Sequence, residues 1–144
     1  DAEHGLYYLI LVFTTAWGGD TGAYMVGRFF GKHKLAPHVS PKKTIEGFIG
    51  GVATSVLFSV IMGLIVRFAV GKVSVSFAVY IAMGLFGGIF AVIGDLSASV
   101  VKRNYNIKDY GKLIPGHGGI LDRFDSVIFT APLIYFLAAN LIVL

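Results

Sequence analysis

Gly47–Val66 reads GFIGGVATSVLFSVIMGLIV, twenty residues without a charge. A helix rises ~1.5 Å per residue, so about 20 apolar residues cross the ~30 Å hydrocarbon core of a bilayer. Val73–Gly94 and Ser126–Leu144 are uncharged as well, and Leu6–Gly27 holds only Asp20. The expected fold is therefore all-α. It is a polytopic integral membrane protein with about four transmembrane helices, at 6–27, 47–66, 73–94 and 126–144, in one domain over 1–144. Polar loops are expected at 28–46 and 95–125.

Composition supports this. The chain has 144 residues, 56% hydrophobic and 14% charged, where a soluble domain carries about 25% charged residues. It has too little polar material to coat a water-soluble globule. There is no cysteine, which excludes disulfides, zinc–thiolate sites and cysteine nucleophiles. The chain opens on Asp1 and Glu3, without a methionine or the basic start of a signal peptide. It is expected to be part of a longer protein.

Arg28, Lys32, Lys34, Lys42 and Lys43 lie in the first polar loop. Lys102, Arg103, Lys108, Lys112 and Arg123 lie in the second, and only Arg67 and Lys72 lie elsewhere. The positive-inside rule puts both loops in the cytoplasm. Gly18/Gly22, Gly27/Gly31, Gly47/Gly51 and Gly84/Gly88 have small-xxx-small spacing, which lets helix backbones approach. Packing within the chain is the expectation, and a homodimer seam is left open. Pro132 is expected to kink the last span.

Polar chemistry concentrates in Asp95–Asp125. Asp95, Ser99, Lys102 and Arg103 follow i, i+4, i+7, i+8, one face of a helix that continues the third span. Asn104-Tyr105-Asn106 reads as a break, and Pro115–Gly119 as a flexible loop where bare backbone can approach a ligand. Asp122 and Asp125 fall at i, i+3 where the fourth helix starts, near the positive end of its dipole. The competing reading is a solvated loop with surface ion pairs. In the first loop, Ser40-Pro41-Lys42-Lys43-Thr44 precedes Glu46. Pro41 is placed early in a helix after a Ser40 cap, which makes a phosphate cradle; the competing reading is a cationic anchor. Asp20 sits ~12 Å inside its span at ~1.5 Å per residue, and an acid at that depth needs a partner or a wet cavity. His4, His33 and His38 show no ligand spacing and read as surface residues.

No Gly-x-Ser-x-Gly elbow, Walker loop or dinucleotide fingerprint occurs. The remaining set, carboxylates with lysines and arginines, suits phosphoryl or nucleotidyl transfer with a divalent metal. Magnesium is expected, with a second cation left open, because every candidate ligand is a hard oxygen.

These residues also carry a resemblance. Ser99, Lys102-Arg103, Lys108-Asp109, Gly111 and Pro115-Gly116-His117-Gly118-Gly119, ending in Asp122-Arg123-Phe124-Asp125, resemble the signature of phosphatidate cytidylyltransferases. Gly19–Tyr24, Gly27-Arg28, Gly31-Lys32 and Ser40–Thr44 with Glu46-Gly47 resemble the bacterial members. The resemblance covers nearly the whole chain, as the C-terminal catalytic portion. It implies that CTP and phosphatidic acid give CDP-diacylglycerol and pyrophosphate, in a bacterial inner membrane, with membrane lipids as surroundings and no nucleic acid. The roles expected on that basis centre on Asp95 and Asp122 holding magnesium, helped by Asp125 and Asp20. Lys102, Arg103 and Arg123 face the triphosphate. Ser40, Lys42, Lys43 and Thr44 hold a phosphate, Lys108 joins the substrate-binding group, and His117, Gly118 and Gly119 shape the nucleotide site. The alternatives are a cation- or proton-coupled transporter using Asp20, a CDP-alcohol phosphotransferase, whose Asp-Gly-x-x-Ala-Arg continuation is absent, and a structural subunit that binds anionic lipid.

Overall fold

A computed structural model describes residues 2–70, 76–111 and 119–141. The long apolar runs become helices: α1 (Ala2–Phe30), α2 (Ile45–Val70), α3 (Phe77–Asn104) and α4 (Leu121–Leu141). Each expected span falls inside one of them, apart from Ser76, which precedes α3, and 73–75 and 142–144, which lie outside the described residues. Ser76 caps α3, its hydroxyl accepting the Ala78 N–H at 3.3 Å. The helix runs ten residues past Gly94, so the second polar segment begins as helix, as the Asp95–Arg103 spacing predicts. It stops where the asparagines were read as a break. Ile107 N–H donates to the Lys102 carbonyl at 2.9 Å, and Asn106 takes φ 55°, a left-handed conformation that asparagine tolerates better than most residues. Pro132 lies inside α4.

The fold is all-α as expected, with one short addition in the first polar segment, which is expected as a loop. That segment folds as an antiparallel hairpin, β1 (Lys34–Ala36) with β2 (Ser40–Thr44), pairing Lys34 with Thr44 and Ala36 with Ser40. Pro41 therefore stands in a strand and not in the first turn of a helix. In a two-stranded sheet every strand is an edge, where proline's missing N–H is tolerated. Thr44, not Ser40, caps α2, its hydroxyl accepting the Gly47 N–H at 3.1 Å.

α1 packs on α2, α2 on α3 and α3 on α4, and α1 also touches α3 and α4, closing a bundle. Small residues set the closest approaches. A Cβ on Gly84 would lie 2.5 Å from the Val56 Cα, and one on Gly51 would lie 2.9 Å from the Gly19 carbonyl. The glycine pairs at 47/51 and 84/88 thus serve packing within the chain. The core is Leu11, Val12, Ala16, Tyr80, Met83, Val127, Ile134 and Ala138.

The polarity of this bundle is inverted. Thr15, Ser55, Ser59, Ser126 and Thr130 are completely buried, while Ile49, Leu57, Phe58, Ile61, Leu64, Ile65 and Phe68 are exposed on α2 alone. The buried hydroxyls are satisfied: Ser55 donates to the Thr15 carbonyl at 2.8 Å and Ser59 to the Tyr80 carbonyl at 2.6 Å. An apolar exterior of this extent marks a surface that does not face water. Among the described residues, two helices, Ile45–Phe68 and Phe77–Asn104, are long and apolar enough to cross a membrane. α1 carries Asp20, and α4 carries Asp122, Arg123 and Asp125 in its first turns.

Neighbouring glycines of α3 test the packing. Gly84→Ala places a methyl against backbone, so a cost of about 1–3 kcal/mol is expected. At Gly87 the nearest atoms stand at 3.6 Å, so Gly87→Ala should be neutral or stabilising, since alanine gains ~1 kcal/mol over glycine in a helix. Thermal unfolding in detergent reads both. Equal behaviour of the two variants would show that the α2–α3 approach is not tight.

Candidate functional site

Where α1 and α3 finish and α2 and α4 start, the elements enclose a cavity of about 470 Å³. α1 contributes Asp20, Tyr24 and Arg28, spaced i, i+4, i+8 and therefore on one helical face. The strand β2 contributes Ser40, Lys42, Lys43 and Thr44; α3 contributes Asp95; α4 contributes Asp122 and Asp125. Residues up to about a hundred positions apart thus meet in one chamber.

Three contacts organise the acids. Lys43 pairs with Asp95, joining the hairpin to α3. Asp95 also faces both Asp20 and Asp125, so three carboxylates share one neighbourhood. Asp125 is buried, and its Oδ1 accepts the Ser126 N–H at 2.7 Å.

Asp122 is held differently. Its Oδ1 accepts from Lys102 Nζ at 2.8 Å, and its Oδ2 accepts the N–H groups of Tyr110 and Gly119 at 2.8 and 2.9 Å. Burial acts to raise its pKa. The Lys102 ammonium and the two N–H donors outweigh that and hold the carboxyl below its ordinary value. Tyr110 completes the knot: its hydroxyl donates to the Ala98 carbonyl at 2.9 Å, and Lys102 Nζ lies 5.4 Å from its ring centroid. Asp122 therefore ties α4 to α3 and to the backbone on either side of the glycine-rich loop.

Of the expected site residues, Asp20, Asp95, Asp122, Asp125, Ser40, Lys42, Lys43 and Thr44 line the cavity. Lys102 stands beside it, on Asp122. Arg103, Lys108 and Arg123 are exposed and outside its lining. Arg103 Nε donates to the Val39 carbonyl at 3.3 Å, at the hairpin tip. The Arg123 carbonyl accepts the Trp17 indole N–H at 3.3 Å. Gly119 serves through its N–H, and a Cβ there would meet the Gly111 N at 2.7 Å. His117 and Gly118 lie outside the described residues. His33 is a surface residue, as expected, and its Nδ1 meets Glu46 Oε1 at 2.6 Å. Arg28 and Tyr24 were not expected in the site. Arg28 Nη1 donates to the Tyr24 hydroxyl at 3.2 Å, and their four-residue steps from Asp20 were the signal. With Asp20 among acids and Lys43 at a helix-end cavity, the transporter reading loses its motivating observation, an isolated intramembrane acid.

The donor set fits a hard divalent cation, because Asp20, Asp95 and Asp125 offer only carboxylate oxygen. Among the described residues, no three acidic or imidazole groups already stand at ligating distances. Among the described residues Asp122 accepts three hydrogen bonds, and a carboxylate has about four lone-pair positions.

The Lys102–Asp122 pair gives a test. Both side chains are about a tenth exposed, so removing one partner strands a buried charge. Lys102→Met and Asp122→Asn should each lower the unfolding temperature. The double variant should lose less than the sum, by about 0.5–3 kcal/mol. Additive losses would show that the pair is not coupled.

The family model described as "Cytidylyltransferase family" matches residues 1–141. The chain is 42% identical over 137 residues to the phosphatidate cytidylyltransferase of Bacillus subtilis (strain 168), covering 95% of this chain and 49% of that protein. It is 47% identical over 132 residues to the phosphatidate cytidylyltransferase of Staphylococcus aureus (strain COL), covering 92% and 49% respectively. The chain spans about half the length of the curated relatives it matches.

Proposed function

We propose, because this chain belongs to the cytidylyltransferase family, that it carries the catalytic half of a phosphatidate cytidylyltransferase. The reaction joins the phosphate of phosphatidic acid to the α-phosphorus of CTP and releases pyrophosphate, giving CDP-diacylglycerol. The observation that carries this reading is the single cavity lined by Asp20, Asp95, Asp122 and Asp125 together with Arg28, Lys42 and Lys43.

The chemistry suits such a site. The attacking group is a lipid phosphate oxygen, already anionic, so no activated serine or cysteine is needed. An O–P bond forms at the α-phosphorus while the α–β bridging bond breaks, and the electron pair leaves on pyrophosphate. The protein's task is to hold polyanions together and in line. Lys42 and Arg28, with the Ser40 and Thr44 hydroxyls, bind phosphate oxygens on the hairpin side. Lys43 orients Asp95. Asp95 and Asp125, with Asp20 and Asp122 beside them, would hold the divalent ion, magnesium by their hardness. Bound there, that ion neutralises phosphate charge and polarises the α-phosphate. Lys102 keeps Asp122 ionised and fixed.

The four helices are read as membrane spans, at 6–27, 47–66, 73–94 and 126–144, in a bacterial cytoplasmic membrane. The inverted polarity supports this, since buried hydroxyls and exposed Leu, Ile and Phe side chains match lipid. The lysine and arginine bias puts the cavity on the cytoplasmic side, where CTP is available, while the lipid arrives within the bilayer plane.

The test uses the full-length protein in phospholipid micelles with labelled CTP and phosphatidic acid. Asp95→Asn and Asp125→Asn should each lower turnover about 100-fold or more. EDTA should abolish it and magnesium restore it. Incorporation by either variant at the unsubstituted rate would remove that residue from the site. Activity indifferent to chelation would remove the cation from the reading.

A further inference from the structure

Ser126 is the first residue of the last uncharged run, and by sequence it belongs with the apolar span. Its surroundings are different. It is fully buried, with 0% exposure. A serine or threonine in a helix ordinarily returns its hydroxyl to a carbonyl of the preceding turn. Thr15, Thr21, Thr54, Ser97 and Thr130 all do so here. Ser126 does not. Its Oγ donates across the bundle to Asp20 Oδ2 at 3.1 Å. Its own backbone N–H donates to Asp125 Oδ1 at 2.7 Å, and its carbonyl accepts the Thr130 hydroxyl at 2.8 Å.

One residue thus fastens one oxygen each of two carboxylates that come from α1 and α4. Both carboxylates line the cavity, where Asp125 also stands within hydrogen-bonding reach of Asp95. We infer that Ser126 is a positioning residue that sets the Asp20 and Asp125 carboxylates, through its side chain and its main chain respectively, for binding a divalent cation. The inference rests on the proposed cation role of those acids and adds the group that aims them. The hydroxyl is the separable part, because alanine keeps the backbone N–H to Asp125 and removes only the bond to Asp20. Without it, Asp20 loses its only described hydrogen-bond donor and is free to turn within the cavity. Groups that orient metal ligands typically change affinity by about 10–100-fold when removed.

The experiment measures Mn²⁺ binding to the full-length protein by the electron paramagnetic resonance signal of the free ion, without substrates. Ser126→Ala should weaken binding about 10-fold. In the Asp20→Asn background the same substitution should change little, because its target is gone. Ser59→Ala is the control, as it removes an equally buried hydroxyl that also donates across the bundle, to the Tyr80 carbonyl. It should leave Mn²⁺ affinity unchanged. Wild-type affinity in Ser126→Ala, or an equal loss with and without Asp20, would overturn the inference while leaving the proposed activity standing. A similar loss in Ser59→Ala would reduce the effect to general destabilisation and also overturn it. Failure of the unsubstituted protein to bind Mn²⁺ would overturn the cation reading, and this inference with it.

Discussion

The near-contact of α1 and α2 governs the rest of the structure. Along this seam Gly19 faces Ser55 and Gly51, Gly22 faces Thr54, and Gly47 faces the Ala23 carbonyl. Not even a methyl fits between the two backbones at Gly47, where a Cβ would stand 2.7 Å from that carbonyl. In lipid there is no hydrophobic gain from bringing helices together, so small residues and buried hydroxyls supply the attraction through close packing and hydrogen bonds. The seam continues to Gly27 and Thr44, at the start of α2. It therefore fixes where β2 leaves the bundle, and with it where Lys42 and Lys43 stand relative to Asp20 on α1.

That placement turns a liability into a site. Asp20, Asp95 and Asp125 repel one another at short range, and the bundle tolerates them because each has its own compensation. Lys43 comes to Asp95, Ser126 Oγ to Asp20 and the Ser126 N–H to Asp125. Asp95 and Asp125 also stand within hydrogen-bonding reach of each other, so the three acids are held as one group. Asp122 is fixed by other groups. Two N–H groups and an ammonium ion occupy it, which makes it the anchor of the loop as much as a part of the chamber.

Much of this was legible in the sequence, and what escaped did so for local reasons. The uncharged runs locate the helices because length and absence of charge are robust signals. The Asp95–Arg103 spacing shows that the third helix outlasts its apolar stretch, and the i, i+3 spacing of Asp122 and Asp125 puts them on one face where the fourth helix starts. The hairpin was not legible. Strands of three and five residues containing a proline leave no alternation to detect, and Lys34-Leu35-Ala36 pairs through a register irregularity. Ser126 was hidden because residue type assigns it to the span, while its role depends on a partner 106 positions away. Arg28 was counted as a topogenic charge, and only the face it shares with Asp20 and Tyr24 distinguishes it from Lys32.

The hairpin itself needs an explanation, since two short strands are marginal in isolation. Its base is clamped by Glu46, whose Oε2 accepts the N–H groups of Lys32 and His33 at 3.1 and 3.2 Å while Oε1 meets the His33 ring. The Ile45 N–H adds a bond to the His33 carbonyl at 2.9 Å. Its tip is held from a different helix, by Arg103 of α3 on the Val39 carbonyl, and Lys43, next to its base, reaches Asp95 of the same helix. The basic strand is therefore strung between the start of α2 and the end of α3. Arg103, which stands outside the cavity, acts on it through this tether. The cationic wall and the acid it faces are thereby held in register on one helix, α3.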